Sequence, residues 1–310
     1  METSDAITEQ RNIASADLDR MSTEEIVRLI NSEDKKVADA VERAIPDIVR
    51  AIEVIAGRLR NGGRLLYVGA GTSGRLGILD ASECPPTYGT PPELVQGIIA
   101  GGPDAAFLSQ EGAEADAEAG GAARADRPRS ALDAVVGLTA SGRTPFVIGA
   151  LDYARQAGAA TVAITCNPNA EVLAHADNPI VLVVGPEVVT GSTRMKAGTA
   201  QKMTLNIIST TTMVKLGRVA SNLMVDMKTW SEKLVARAKR VISLRTHADL
   251  AEAERALVAA EGDVKVAIVM LARGISADEA RSRLRAADGR LKDALEGGAG
   301  GQASCERQRR

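Results

Sequence analysis

Two glutamates are the residues of this chain best suited to acid and base work. Glu83 sits in Asp80-Ala-Ser-Glu83-Cys84-Pro85-Pro86-Thr87-Tyr88-Gly89, where the paired prolines are expected to end a helix abruptly and fix the carboxyl in place. Glu114 sits in Glu111-Gly-Ala-Glu114-Ala115, within a stretch read as a helix over roughly 103–119. Each has a plainer account. Glu111, Asp116 and Glu118 are equally ionisable, and on spacing alone a solvent-facing helix charge explains Glu114 more simply. The chain holds only two histidines, His175 and His247, both in polar, Ala-rich contexts that favour surface or helix-end roles. Carboxylates are therefore the natural general acid and base.

Three Gly- and hydroxyl-rich loops could hold an anion. Gly69-Ala-Gly71-Thr72-Ser73-Gly74-Arg75 formally matches the dinucleotide fingerprint, which expects an acidic residue at the end of the next strand. That strand ends Ile98-Ile99-Ala100-Gly101-Gly102, with no carboxylate. Thr72 and Ser73 instead bring hydroxyls to a helix N-terminus, where free N–H groups and the dipole favour an anion. A phosphomonoester fits better than a pyrophosphate; a plain tight turn is the bland account. The second loop, Thr139-Ala140-Ser141-Gly142-Arg143-Thr144-Pro145, again offers hydroxyls and backbone donors at a helix start. One such loop is no more than a cap; two after neighbouring strands favour a shared phosphate cradle. The third runs from Gly185 through Glu187, Thr190, Gly191, Ser192, Thr193 and Arg194 to Lys196. Its hydroxyls suit sugar or phosphate, Glu187 suits sugar hydroxyls, and Lys196 adds positive charge; the alternative is a hydroxyl-rich helix cap with one surface carboxylate.

Something must position these loops. Apolar runs at Arg64–Gly69, Leu94–Ala100, Ala134–Leu138, Thr161–Thr165 and Ile180–Val184 read as buried parallel strands. Helical stretches near 73–82, 103–119, 144–157, 169–175 and from Met195 to Leu216 separate them. This alternation predicts an α/β fold: a doubly wound, mostly parallel sheet with helices on both faces. Ahead of it, Ser22 with Glu25 forms a capping-box pattern, and Pro46 is expected to break or kink the following helix. After about residue 220 only helices are expected, at Asp249–Ala260, Asp263–Ala272 and Ser276–Ala287. The domains implied are an N-terminal helical segment 1–54, an α/β sugar-phosphate-binding domain 55–220, a C-terminal helical subdomain 221–296 and a disordered tail 297–310.

Composition narrows the partners. Among 310 residues, 38 Lys+Arg face 40 Asp+Glu for a net charge of -2, and aromatics make up only 2%. Neither a polyphosphate backbone nor stacked bases find a match, so no nucleic-acid partner is expected. Two histidines and three cysteines without CxxC spacing give no metal site, and no cofactor is expected. No apolar run approaches membrane-spanning length. The expectation is a cytoplasmic protein acting on a small molecule.

Taken together, Val68-Gly-Ala-Gly-Thr-Ser-Gly-Arg-Leu-Gly77, Leu79-Asp-Ala-Ser-Glu-Cys-Pro-Pro-Thr-Tyr-Gly89, Ala140-Ser-Gly-Arg-Thr-Pro145 and Val189-Thr-Gly-Ser-Thr-Arg-Met-Lys-Ala-Gly-Thr-Ala-Gln-Lys202 resemble the N-acetylmuramic acid 6-phosphate etherase family, within the sugar isomerase (SIS) superfamily. The resemblance spans nearly the whole chain, from Thr8-Glu9 and Asn12 into the C-terminal helices. It implies an αβα sandwich of SIS type, a UBA-like helical appendage and a homodimer with sites near the subunit interface. It also implies cleavage of the D-lactyl ether at C3 of the amino sugar phosphate, by elimination and then hydration, with Glu83 as proton donor and Glu114 as the second catalytic glutamate. A donor carboxyl must stay protonated near neutral pH, so Glu83 is expected to be buried. One departure is visible: the family's Glu-Gly-Ala-Glu-Asp ends here in Ala115. A SIS-fold isomerase, or a sugar-phosphate sensor without turnover, shares the loops; the two glutamates favour catalysis.

Overall fold

The computed structural model describes residues 6–123 and 130–296. The disordered tail expected over 297–310 lies outside them. Contacts divide the chain into two compact units: residues up to Glu83 with Pro91–Thr212, and Cys84–Thr90 with the residues from Met213 onward.

In the first unit, short 3-10 turns at Ile7–Glu9, Ile13–Ser15 and Leu18–Arg20 lead into α1 (Thr23–Asp34). The capping box is formed: the Ser22 side chain accepts from the Glu25 backbone while the Glu25 carboxylate accepts from the Ser22 backbone. α2 (Lys36–Arg43) and α3 (Ile45–Arg60) follow, and Pro46 falls in the first turn of α3, where its missing N–H costs nothing. Then β1 (Leu65–Gly69), α4 (Gly71–Tyr88), β2 (Val95–Ile99), α5 (Ala117–Ala122), β3 (Ala134–Leu138), α6 (Pro145–Gln156), β4 (Ala160–Thr165), β5 (Asn178–Val181) and α7 (Lys196–Lys215) complete the body.

The five strands are all parallel, in the order β2-β1-β3-β4-β5. Leu66 and Val68 of β1 join Val135, Phe146, Val147 and Leu151 in the core on the α6 face. Tyr67, on the opposite face, reaches Asp80 of α4 through its hydroxyl at 2.9 Å. In this order the chain steps one way from β1 to β2 and the other way to β3. That reversal opens a crevice at the carboxyl ends of β1 and β3, where such sheets bind ligands.

The elements of the first unit depart from the sequence reading in four places. No single helix covers 103–119: Gly101, Gly102 and Gly112 adopt positive φ, and only 3-10 turns at Pro103–Ala106 and Ala113–Ala115 precede α5. α4 does not stop before its prolines but runs to Tyr88, its last turn held by a Gly89 N–H to Pro85 O bond and by burial of Cys84 and Tyr88. β5 lies about two residues early; as an edge strand it tolerates Pro179, which has no ladder donor. Residues 169–175 give only a 3-10 turn, Glu171–His175.

The second unit is not wholly helical. A short antiparallel pair, β6 (Val219–Ala220) and β7 (Leu223–Met224), precedes α8 (Glu232–Thr246), α9 (Leu250–Ala259), α10 (Val264–Arg273), α11 (Ala277–Ala286) and α12 (Leu291–Glu296). Ser276 and Glu279 form the expected capping box on α11. Ile242, Leu257, Ile268 and Leu284 centre a core of its own.

Candidate functional site

The loop after β1 is shaped by a close approach of backbones. A Cβ on Gly74 would lie 2.8 Å from Gly69 O and 2.6 Å from Ile99 Cγ1, so no side chain fits where α4 meets the sheet. Gly71 is exposed with φ 52, Thr72 is half-buried, and Ser73 is buried with its hydroxyl donating to Gln201 Oε1 on α7 at 2.8 Å. Gln201 is itself buried, and its Nε2 has no partner among the described residues.

The loop after β3 is a hydroxyl cluster. Thr139 Oγ1 lies 2.7 Å from Thr144 Oγ1 and 3.4 Å from Ser141 Oγ, and accepts from the Gly142 N–H at 3.1 Å. Gly142 has φ 75, and a Cβ there would stand 2.2 Å from Ala170 Cβ, so only glycine fits. The Arg143 N–H donates to Ser141 Oγ at 3.4 Å. Thr144 caps α6 in extended conformation without a side-chain bond to the helix. No side chain caps the first turn of α6, where Pro145 has no N–H and the Val147 N–H donates to Thr144 O at 3.0 Å.

The third loop divides in its behaviour. Thr190 and Gly191 are exposed, and Ser192 and Thr193 are half-buried. A Cβ on Gly198 would lie 3.5 Å from both Thr193 O and Thr72 Cγ2, so this loop adjoins the first. Glu187 and Lys196 have other partners. Glu187 is buried and accepts from the backbone N–H groups of Lys196 at 3.1 Å and Ala197 at 2.9 Å, capping α7. Burial pushes its carboxyl above the ordinary range, against the lowering effect of those two donors. Lys196 is 1% exposed and donates to Glu33 Oε2 of α1 at 2.6 Å. Burial raises the Glu33 carboxyl, but Lys196 and Lys36 together hold it below its usual value.

The N-terminal segment is strapped across these loops. Thr8 and Asn167 exchange bonds at 3.3 and 3.1 Å, and the Asn167 amide also donates to the carbonyls of Ala140 and Ser141. Ser15 Oγ donates to Val188 O at 2.7 Å, and Asn12 Nδ2 to Pro186 O at 3.3 Å. Asn167 was not singled out from sequence, although it follows β4 at the same edge of the sheet, a fourth strand-end loop. Gln201 was a readable signal too, at the end of the long polar block entering α7.

The glutamates open into different spaces. Glu114, in the exposed turn Ala113–Ala115, lines a cleft of about 320 Å³ with Gly71, Arg75, Ser109 and Glu111. Arg75 donates to Ala106 O at 3.0 Å on the same wall. The structure thus brings Glu114 to the β1 loop. Glu83 stands 12 residues along α4 from Gly71, about 18 Å of helix. It lines a second cavity of about 240 Å³ between α4 and α7.

Residues 47–155 match the model described as glucokinase regulatory protein N-terminal SIS domain, and residues 115–214 match the SIS domain model. N-acetylmuramic acid 6-phosphate etherases of Clostridium beijerinckii and Serratia proteamaculans are each 53% identical over 289 residues, covering 93% of this chain and 95% and 97% of theirs. That of Clostridioides difficile is 52% identical over 93% of this chain and 95% of its own. The chain belongs to the N-acetylmuramic acid 6-phosphate etherase family.

The thiols and imidazoles of this etherase are held in other ways. Cys84 and Cys166 are buried, and burial with the nearby Glu187 charge pushes the Cys166 thiol up to about 12. His175 ends a 3-10 turn with its Nδ1 2.6 Å from Asp152, and His247 caps α8 in left-handed conformation, so both sit at helix ends. Among the described residues no group of three or more His, Cys, Asp or Glu could hold a metal ion, and no helix is long and apolar enough to cross a membrane. One expectation fails: Glu83 is exposed in the single etherase chain, not buried.

Proposed function

We propose that this etherase cleaves the D-lactyl ether at C3 of N-acetylmuramic acid 6-phosphate, releasing D-lactate and N-acetylglucosamine 6-phosphate for amino sugar recycling. The observation that carries the reading is the shared cleft of Glu114 and the β1 loop, at the point where the strand order reverses. The phosphate would rest on the helix-start donors at Gly71, Thr72 and Ser73, with Ser141, Gly142, Arg143 and Thr144 completing the cradle. Thr190, Ser192 and Thr193 are near enough to the first loop to meet the sugar. Glu187 and Lys196 would act by holding that third loop in place.

The C1 aldehyde of the open-chain sugar acidifies the C2 proton. Glu114 takes that proton, the C2–C3 double bond forms, and the C3–O bond breaks as Glu83 protonates the departing lactate oxygen. Glu83, now a carboxylate, activates water for addition at C3, and the proton on Glu114 returns to C2. Both carboxyls must reach adjoining carbons of one substrate, yet in one chain they open into separate cavities. A homodimer in which a second copy brings its Glu83 over the Glu114 cleft reconciles the two, and would supply the cover that an exposed donor lacks. Phe107 and Leu108, 88% and 70% exposed on the segment before Glu114, are apolar surface of the kind a subunit interface covers. A cytoplasmic site of action agrees with Cys84 and Cys166 being buried as thiols.

The direct test is incubation of pure protein with N-acetylmuramic acid 6-phosphate and assay of free D-lactate; no lactate above the blank overturns the reading. Mixing Glu83→Gln and Glu114→Gln protomers tests the dimer. Sites shared across a two-fold interface regain about a quarter of wild-type activity in an equal mixture, because half the dimers are mixed and each has one intact site. Sites complete within one chain regain none.

A further inference from the structure

The cavity at Glu83 has a composition that acid catalysis alone does not call for. Leu76, Leu79, Asp80 and Glu83 recur at i, i+3, i+4 and i+7 on α4, and Lys202, Leu205 and Asn206 recur at i, i+3 and i+4 on α7. The two helix faces are locked together along the cavity itself. Asp80 is buried and accepts from Asn206 Nδ2 at 2.6 Å, Ser209 Oγ at 3.1 Å and Tyr67 Oη at 2.9 Å. Its negative charge is therefore met by three donors from within. Above it, Lys202 is exposed and has no ion pair among the described residues. Leu79 is 48% exposed on the same wall, an apolar side chain left uncovered beside an unpaired cation.

A cation, an amide and an apolar wall around a carboxyl group match a small hydroxy acid better than a sugar ring. The departing group in the proposed reaction is one: an ether oxygen, a carboxylate and a methyl on a single carbon. We propose that this cavity is the leaving-group subsite, in which the Lys202 ammonium and the Asn206 amide bind the lactyl carboxylate while Leu76 and Leu79 face its methyl. The inference rests on the etherase reading and deepens it. It assigns Lys202 to substrate selection: the ammonium offsets the repulsion that a lactyl carboxylate would otherwise meet from Asp80 and, once its proton is given up, from Glu83. It also accounts for the distance of Glu83 from the phosphate loop of its own chain, since the residue that protonates the ether oxygen has to stand where the lactyl group goes.

The experiment pairs Lys202→Gln and Lys202→Arg with two substrates: N-acetylmuramic acid 6-phosphate and the analogue whose lactyl carboxylate is a neutral carboxamide. The readout is kcat/KM for N-acetylglucosamine 6-phosphate formation, the product common to both. A charge-assisted bond to a carboxylate predicts that wild-type protein favours the natural substrate by roughly 10- to 100-fold. Lys202→Gln is expected to lose that factor on the natural substrate and to change little on the carboxamide, and Lys202→Arg to keep most of the preference. D-Lactate is expected to inhibit the wild type and not Lys202→Gln. If Lys202→Gln slows both substrates equally, or still prefers the carboxylate as the wild type does, the subsite assignment is overturned while the etherase reading stands. Wild-type protein that turns over neither substrate overturns both.

Discussion

The cleft at Glu114 and the cavity at Glu83 are held by different means. Glu114 stands on a single 3-10 turn between Gly112, in left-handed conformation, and Asp116, which caps α5 by accepting from the Ala119 N–H. Its neighbours along 107–118 are nearly all exposed. Glu83 rises from a long helix whose inner face is pinned to α7 by the Asp80 cluster and by Ser73 to Gln201. A loop supported by few buried contacts opens at little free-energy cost, whereas a packed helix face fixes its side chains in register. The Glu114 wall is thus the adjustable one, and the Glu83 wall the rigid one. An open-chain sugar can be admitted by the first without moving the second.

Removing either carboxyl tests whether both walls serve one reaction. Glu83→Gln and Glu114→Gln are each expected to lower kcat by about 10²- to 10⁴-fold, the usual worth of a placed acid or base. Calorimetric titration with N-acetylglucosamine 6-phosphate should show binding retained. Wild-type rates in both variants would remove the carboxylates from the mechanism.

A second break lies behind the rigid wall, at the start of α7. Glu33→Gln leaves Lys196 as a buried charge without its counterion, and is expected to cost about 3–5 kcal/mol in denaturant unfolding. The pH dependence has a definite sign. The Glu33 carboxyl is held below its ordinary 4.5 in the folded state, so its contribution is complete above that pH and is lost as pH falls through the folded value. Glu187, raised by burial, works in the opposite sense: its contribution is present at low pH and lost as pH rises through its raised value. Glu33→Gln should therefore flatten the acid limb of the stability curve; an unchanged acid limb would discount the pair.

The smallest effects separate the walls most cleanly. Asp80→Ala strips three donors of their acceptor and should cost about 1–3 kcal/mol of stability, with loss of turnover but little change in phosphate binding. Gly112→Ala forces a side chain into left-handed backbone at about 1–2 kcal/mol, and should disturb only the Glu114 turn. A Gly112→Ala protein that lost as much global stability as Asp80→Ala would mean that the Glu114 wall is no looser than its counterpart.

The sequence announced the sheet and its loops well because those signals are local. Ala134–Leu138 is an unbroken apolar run and appears unchanged as β3; Ser141 and Gly142 punctuate the chain where the backbone must turn. Its failures are non-local. Pro85 and Pro86 argue correctly against helix on their own, yet burial of Cys84 and Tyr88 carries α4 through them. Lys196 looks like a free cation until Glu33, far away in sequence, is seen beside it. Glu83 reads as buried if a proton donor is imagined inside one chain, and it is exposed. For Lys196 no window of sequence contains the partner.

The strap formed by Thr8, Asn12 and Ser15 has a consequence for how the chain is made. Its bonds join residues 159, 174 and 173 positions apart. The loop-closure cost of such separations grows only slowly with length, but contacts this distant in sequence form late. During synthesis Thr8, Asn12 and Ser15 leave the ribosome before their partners, and Lys196 must follow before Glu33 finds its ammonium. The hydroxyl loops can therefore be built before they are covered, with the segment from Thr8 to Ser15 fastened over them late.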